Sequence, residues 1–221
     1  MIALPARDAY RLWAPSYPAD TAVTFLEDRL VAALAPPPAG QRLLDVGCGT
    51  GRRLGDAGAA FAVGLDLVPE MLARAGGVPS LLAAADVRAL PVATGAFDVV
   101  WCRLVVGYVA ELERAYAELA RVCRVGGTVL VTEFHPDAVA AGHRRTFRDS
   151  AGALHEIASQ AYAPDEHERA ARAAGLEQAA RLDGAVGPEV RGFYERAGKL
   201  EAYEAQRGLP IVLALAFRRR P

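Results

Sequence analysis

Cysteine is scarce in this chain: Cys48, Cys102 and Cys123 are the three present, and no pair has C-x-x-C or metal-like spacing. The odd, dispersed count suits a reducing cytoplasm better than a disulfide framework. A charge excess is missing too. Twenty-five Lys and Arg face 26 Asp and Glu, for a net charge of −1. Nothing predisposes the surface as a whole to nucleic acid or anionic membrane. The one dense basic cluster, Arg218-Arg219-Arg220, reads as a solubilising chain end. The longest late apolar run, Ile211 to Phe217, is far shorter than the roughly 20 residues of a membrane helix. The opening MIALPARDAYRLW lacks the basic start and apolar core of a secretory signal. These absences predict a soluble, cytoplasmic protein that needs neither membrane nor nucleic acid as partner.

What is present is apolar. Hydrophobic residues make up 52% of 221 positions, enough for one well-buried domain. Its expected parts are an N-terminal helix and lid (residues 1–40), a core (41–134) and a C-terminal part (135–221). Thr21 to Ala35 carries apolar residues at helical spacing, and Pro36-Pro37-Pro38 stops it. Strands are predicted at Arg42–Val46, Phe61–Leu65, Ser80–Ala84, Phe97–Cys102 and Thr128–Thr132. Between them lie a short helix after Gly51, one opened by Pro69, and an amphipathic helix over Glu111–Val122 capped by Gly126-Gly127. Alternation of strand and helix implies a parallel, doubly wound sheet. Beyond it, Arg144–Arg148 and Leu154–Ser159 flank a turn and predict a β-hairpin insertion. Helical patterns at Asp165–Ala174 and Glu189–Gly198 enclose a strand-like Glu177–Leu182, and Ile211–Phe217 reads as a buried final strand.

The most specific stretch is LLDVGCGTG, Leu43 to Gly51. A strand that ends in a glycine turn lets backbone N–H groups approach a polar ligand, because no Cβ intervenes. Asp45 sits at the strand's carboxyl end, where open α/β sheets bind ligands. A dinucleotide is one candidate, and its fingerprint is G-x-G-x-x-G. Gly47 and Gly49 fit the first two places, but Arg52 stands at the third, where helix packing wants glycine.

The G-x-G-x-G run behind an acid instead resembles motif I of the class I S-adenosylmethionine (SAM)-dependent methyltransferases. The likeness is in particular to the small-molecule methyltransferase group that includes the ubiquinone and menaquinone biosynthesis enzymes. Four further segments agree in order: GLDLVPEML with Asp66, ADVRALP with Asp86, GAFDVVWCRLVVGYV, and ELARVCRVGGTVLVTEFHP. Val125 replaces a proline common before the two glycines, and the intervals Gly51–Asp66 and Gly76–Leu82 are shorter than usual in that family.

The resemblance implies a Rossmann-like, seven-stranded, doubly wound sheet, with six parallel strands and a reversed last strand. The implied reaction is transfer of the SAM methyl group to an O, N or C atom of a small-molecule acceptor. Gly47, Cys48, Gly49 and Gly51 would cradle the amino-acid portion, with Asp45 orienting the turn or the amino group. Asp66 would hold both ribose hydroxyls, since an ionised carboxylate accepts two hydrogen bonds from a vicinal diol. Leu67 and Met71 would lie beside it. Asp86 and the Val87 backbone would take adenine, Cys102 would line the methionine end, and Tyr17 would close over the cofactor.

Acceptor chemistry leaves a weaker trace. His135 follows the fifth strand at the ligand edge, with an imidazole pKa near neutrality, and is the candidate general base. Orienting a loop or substrate without proton transfer stays open beside that role, and His143 is the second candidate. Tyr10, Trp13 and Tyr108 are candidate acceptor contacts, with lid closure and simple packing both open for the N-terminal aromatics. Arg103, Arg144 and Arg145 are candidates for an acidic group. No acid is spaced with His135, Asp137 and His143 as a metal site requires, so no metal is expected. A nicotinamide oxidoreductase and a non-catalytic SAM-binding protein remain the alternatives. The expected assembly is a monomer or homodimer.

Overall fold

In the computed structural model, residues 2–18, 20–35, 37–76 and 81–221 are described. Ser80, at the start of the third predicted strand, Pro36 and part of the shortened Gly76–Leu82 interval lie outside them. In chain order the elements are β1 (Ala3–Leu4), α1 (Ala6–Trp13), α2 (Ala22–Leu34), β2 (Arg42–Val46), α3 (Arg52–Gly55), β3 (Phe61–Asp66) and α4 (Pro69–Leu72). Next come β4 (Leu81–Ala84), β5 (Phe97–Arg103), α5 (Leu112–Val122), β6 (Cys123–Phe134) and α6 (Pro136–Ala140). The chain ends with β7 (Thr146–Arg148), β8 (Leu154–Ile157), α7 (Pro164–Ala173), β9 (Leu176–Ala185), α8 (Arg191–Arg196), α9 (Leu200–Gln206) and β10 (Pro210–Arg219).

The main sheet has the order β4-β3-β2-β5-β6-β10-β9. Pairings from β4 to β6 are parallel, and β10 runs antiparallel to both β6 and β9. Six strands thus share one direction and β10 opposes them, as the resemblance implies. The order reverses between β2 and β5, the switch point where a doubly wound sheet opens a crevice.

Alternating side chains divide the core between the two faces. Leu44, Val100, Val129 and Leu215 pack with Tyr116, Leu119 and Phe217 on one side. Leu43, Trp101, Leu130 and Ala216 pack with Val31 of α2 on the other. The amphipathic α5 buries Leu112, Ala115, Tyr116 and Leu119, as its spacing requires.

Three departures from the predicted elements have local causes. β6 begins at Cys123 rather than Thr128, so Gly126-Gly127 lies within a strand and does not cap α5. Cys123 pairs with Phe97 and Thr128 with Val99, leaving a bulge between them. A Cβ on Gly127 would come within 2.6 Å of Cys123 Sγ and 2.8 Å of Asp98 O, so only glycine permits this approach. The N-terminal segment forms β1 and α1, and β1 pairs in parallel with β8 beside the predicted hairpin. The aromatics expected ahead of the first helix are in and just after α1. Finally, α9 forms where no helix was predicted, with Tyr203 buried and its ring 5.6 Å from that of Tyr194 on α8.

Helix α2 starts at a reciprocal cap: Thr21 Oγ1 accepts the Thr24 N–H at 3.1 Å, and Thr24 Oγ1 accepts the Thr21 N–H at 2.8 Å. Its buried Glu27 anchors it to the sheet. Arg103 donates through Nε at 2.6 Å and Nη2 at 2.7 Å to the two Glu27 oxygens, and Arg53 donates at 2.8 Å. Thr132 adds a hydrogen bond at 2.8 Å, so α2, α3, β5 and β6 meet at one carboxylate. Burial alone would raise the Glu27 pKa, but Arg53 and Arg103 outweigh it and hold the group below the usual glutamate range.

A folded pKa below the unfolded one gives stability that is present above about pH 4.3 and lost as pH falls through the folded value. Glu27→Gln should leave Arg53 and Arg103 with Asp28 as their remaining acid partner and cost about 3 kcal/mol at pH 7, read by denaturant unfolding. A loss under about 1 kcal/mol would contradict this anchoring role.

Candidate functional site

The crevice at the switch point holds a cavity of about 350 Å³ at the carboxyl ends of β2, β3 and β5. Its base is the turn after β2. Gly47, Gly49 and Gly51 adopt φ of 75°, 58° and 70°, in the left-handed region that glycine enters without strain. A Cβ on Gly47 would meet Val105 Cγ2 at 2.1 Å, so the turn lies directly on the chain leaving β5.

Asp66 closes the opposite wall. Its Oδ2 accepts the Gly49 N–H at 2.8 Å and its Oδ1 accepts the Val68 N–H at 2.8 Å. One carboxylate thereby fixes the glycine turn to the end of β3. Burial raises the Asp66 pKa, and the two backbone donors oppose the rise. Each oxygen keeps acceptor capacity toward the cavity.

Leu104 forms part of the floor. It has φ of 59°, the one positive value outside glycine among the described residues. Its N–H bonds to Thr132 O at 2.9 Å and to Thr132 Oγ1 at 3.0 Å. Thr132 is itself bonded to Glu27, so the anchored helix holds the strained residue in place.

Many of the predicted residues meet at this cavity. Gly47, Cys48, Gly49, Asp66, Leu67, Met71, Asp86, Val87, Tyr10, Tyr17, Tyr108 and Arg103 all line it. Asp86 is already engaged: Arg88 donates to it through the backbone at 2.9 Å and through Nη2 at 2.6 Å. Those Arg88 hydrogen bonds hold its pKa below the usual aspartate value. Arg103 is committed to Glu27 and Asp28, so its guanidinium serves architecture and is not open to an acidic ligand.

Other predicted residues lie outside the lining. Gly51 is the N-cap of α3, and Cys102 is fully buried within β5. Trp13 stacks on Phe147 at 5.0 Å, in the cluster that packs α1 against the hairpin. His143 stacks on Phe134 at 5.3 Å, and burial, then Arg145 and Arg144, keeps its pKa low. His135 is buried at the N-cap of α6. Its Nδ1 accepts the Asp137 N–H at 3.2 Å, and its Nε2 is 3.5 Å from Asp183 on β9. The imidazole therefore turns toward the far side of the sheet, away from the cavity.

Sequence reasoning did not select Thr24, Arg53, Leu104 or Val105, which are also among the lining residues. Only Leu104 and Val105, directly after a predicted strand, carried a positional signal. Among the described residues no group of His, Cys, Asp and Glu could hold a metal ion. No described helix is long and apolar enough to cross a membrane.

Fold and turn together define a nucleotide-type cofactor domain. Residues 44–131 match the family described as "Methyltransferase domain". A malonyl-[acyl-carrier protein] O-methyltransferase of Methylococcus capsulatus is 32% identical over 191 residues, 82% of this chain and 61% of that protein. A demethylmenaquinone methyltransferase of Roseiflexus castenholzii is 37% identical over 110 residues, 46% of each. The shared segments span 38% to 64% of the lengths of the curated relatives. A SAM-dependent methyltransferase structure from Mesorhizobium loti covers 88% of this chain and 98% of its own, with TM-score 0.68 and 22% identity, a likeness of fold. Residues 44–131 thus carry a methyltransferase domain, and over most of its length the chain has the fold of SAM-dependent methyltransferases.

Asp45 lies just behind the turn, and neither of its buried carboxylate oxygens has a hydrogen-bond partner. Burial drives its pKa up to about 6, against the opposing pull of Arg53 and Arg103. Its folded value exceeds the unfolded value of about 3.9, so folding loses stability as pH rises between them, by about 3 kcal/mol above pH 6. Asp45→Asn should stabilise the ligand-free protein by about 1–3 kcal/mol at pH 8 and leave it nearly unchanged at pH 4, by denaturant unfolding. Destabilisation at pH 8 would contradict this.

Proposed function

We propose that the protein transfers the methyl group of SAM to an oxygen, nitrogen or carbon atom of a small-molecule acceptor. The observation that carries this reading is the Asp66 carboxylate, fixed by Gly49 and Val68 with one acceptor position left on each oxygen. That arrangement suits a ribose diol. The glycine turn fits the cofactor as well, because its backbone faces the cavity with no Cβ in the way. A dinucleotide fits less well. Arg52 occupies the packing-glycine place and is drawn into ion pairs with Asp20 and Asp28.

Bound there, SAM supplies an electrophilic methyl group on a sulfonium. Gly47 to Gly49 bind the amino-acid portion, with Asp45 behind them, and Asp66 holds the ribose. Cys48, Leu67 and Met71 supply apolar walls. Val87 and Asp86 take the adenine edge, and Arg88 turns from Asp86 toward Glu111, already 2.5 Å from it. Tyr10 and Tyr17 of the N-terminal segment cover the site and exclude water, so catalysis rests on positioning. His135 shapes α6 and takes no proton from the acceptor. The relatives named for malonyl-[acyl-carrier protein] and demethylmenaquinone methylation support methyl transfer as the reaction class.

Isothermal calorimetry tests the site. Wild-type protein should bind SAM and its demethylated product, S-adenosylhomocysteine, and give no heat with NADH. Asp66→Ala should remain folded and lose about 10- to 100-fold in affinity for both. Tight NADH binding without SAM binding would overturn the reading.

A further inference from the structure

Six arginines line the cavity, and five are accounted for. Arg52, Arg53, Arg88 and Arg103 pair with acids, and Arg7 lies on the open surface. Arg145 differs. It makes no ion pair among the described residues, and its buried Nε has no hydrogen-bond partner. Its Nη2 donates to Tyr10 Oη at 3.0 Å, and Tyr10 Oη lies 3.1 Å from Tyr108 Oη. The guanidinium sits 4.7 Å above the Phe134 ring and 5.7 Å from that of Trp13. A guanidinium held by aromatic faces, with an unused donor and two tyrosine hydroxyls beside it, is a receptor for a planar oxyanion.

The same wall has no group suited to act as a base. Tyr10 and Tyr108 have pKa values raised by burial, so both stay protonated at neutral pH. Burial also raises the Cys48 thiol. Asp66 is engaged by backbone N–H groups and Asp86 by Arg88. A phenol or enol acceptor would have to give up its proton, and no residue at this end of the cavity is placed to take it. A carboxylate has none to give.

Building on the methyltransferase reading, we propose that the acceptor is a small molecule bearing a carboxylate, held by Arg145, Tyr10 and Tyr108, and that this carboxylate receives the methyl group. One carboxylate oxygen forms the new O–C bond while the methyl–sulfonium bond breaks, its electron pair going to sulfur. The products are a neutral methyl ester and the neutral thioether S-adenosylhomocysteine, and no proton is released. Arg145 steadies the carboxylate by one edge and leaves the other oxygen to attack.

Two measurements on the full chain test this, using linear dicarboxylic acids of three to eight carbons with matched phenols and amines as probes. With S-adenosylhomocysteine present, calorimetry should show binding of at least one diacid, weakened about 10- to 100-fold in Arg145→Met and by less in Tyr108→Phe. The Met side chain keeps the apolar stem over Phe134, and S-adenosylhomocysteine affinity and thermal midpoint should stay within error of wild type. With methyl-labelled SAM, label should enter a base-labile ester that releases methanol. Diacid binding unchanged in Arg145→Met, or label passing to phenols or amines and to no carboxylate, would overturn the proposal and leave SAM dependence intact. A chain that binds no S-adenosylhomocysteine would instead refute the cofactor reading on which the proposal rests.

Discussion

A single carboxylate organises the ligand end of the sheet. Asp66 accepts one backbone N–H from the turn after β2 and another from the start of α4, so two parallel strands end in a shared, fixed geometry. The bridge adds to the Gly47 and Cys48 N–H bonds to Leu65 O in ordering three positive-φ glycines, whose conformational freedom would otherwise count against binding. Charge and rigidity come from the same atoms. The oxygens that hold the protein together are also those that remain open to the cavity.

A second knot works at longer range. Glu27 gathers Arg53, Arg103 and Thr132, fixing α2 across the ends of β5 and β6. Thr132 passes that order to Leu104, whose left-handed backbone needs outside support. This explains why Arg103 is unavailable to a substrate although it lines the cavity. It also leaves Arg145, from the hairpin side, as the half-buried cation there without an acid partner among the described residues.

The core of the fold was legible because its signals are local. β2, β3 and β5 are short apolar runs closed by an acid or a turn, and α5 repeats its apolar residues at helical spacing. Gly126-Gly127 misled because glycine marks a helix end and a strand bulge alike, and only the approach of Cys123 and Asp98 decides between them. α1 was missed because it is short, and its aromatics pack on partners distant in sequence, Phe147 and Tyr108. In the site, Gly47, Gly49, Asp66 and Asp86 follow from the resemblance of their segments to methyltransferase motifs, and all four line the cavity. His135 could not: a position after a strand gives the sheet edge, and the direction of the ring depends on Asp137 and Asp183. Arg144 and Arg145 are neighbours in sequence, yet Arg144 turns to Glu156 and exposed carbonyls while Arg145 reaches Tyr10.

The most direct test of the central claim is a crystal structure with S-adenosylhomocysteine bound. The account predicts both ribose hydroxyls on the Asp66 carboxylate, the amino-acid portion along Gly47–Gly49, and the sulfur facing the side of the cavity formed by Tyr10, Tyr108 and Arg145. A ligand seated elsewhere, or one whose ribose makes no contact with Asp66, would contradict it.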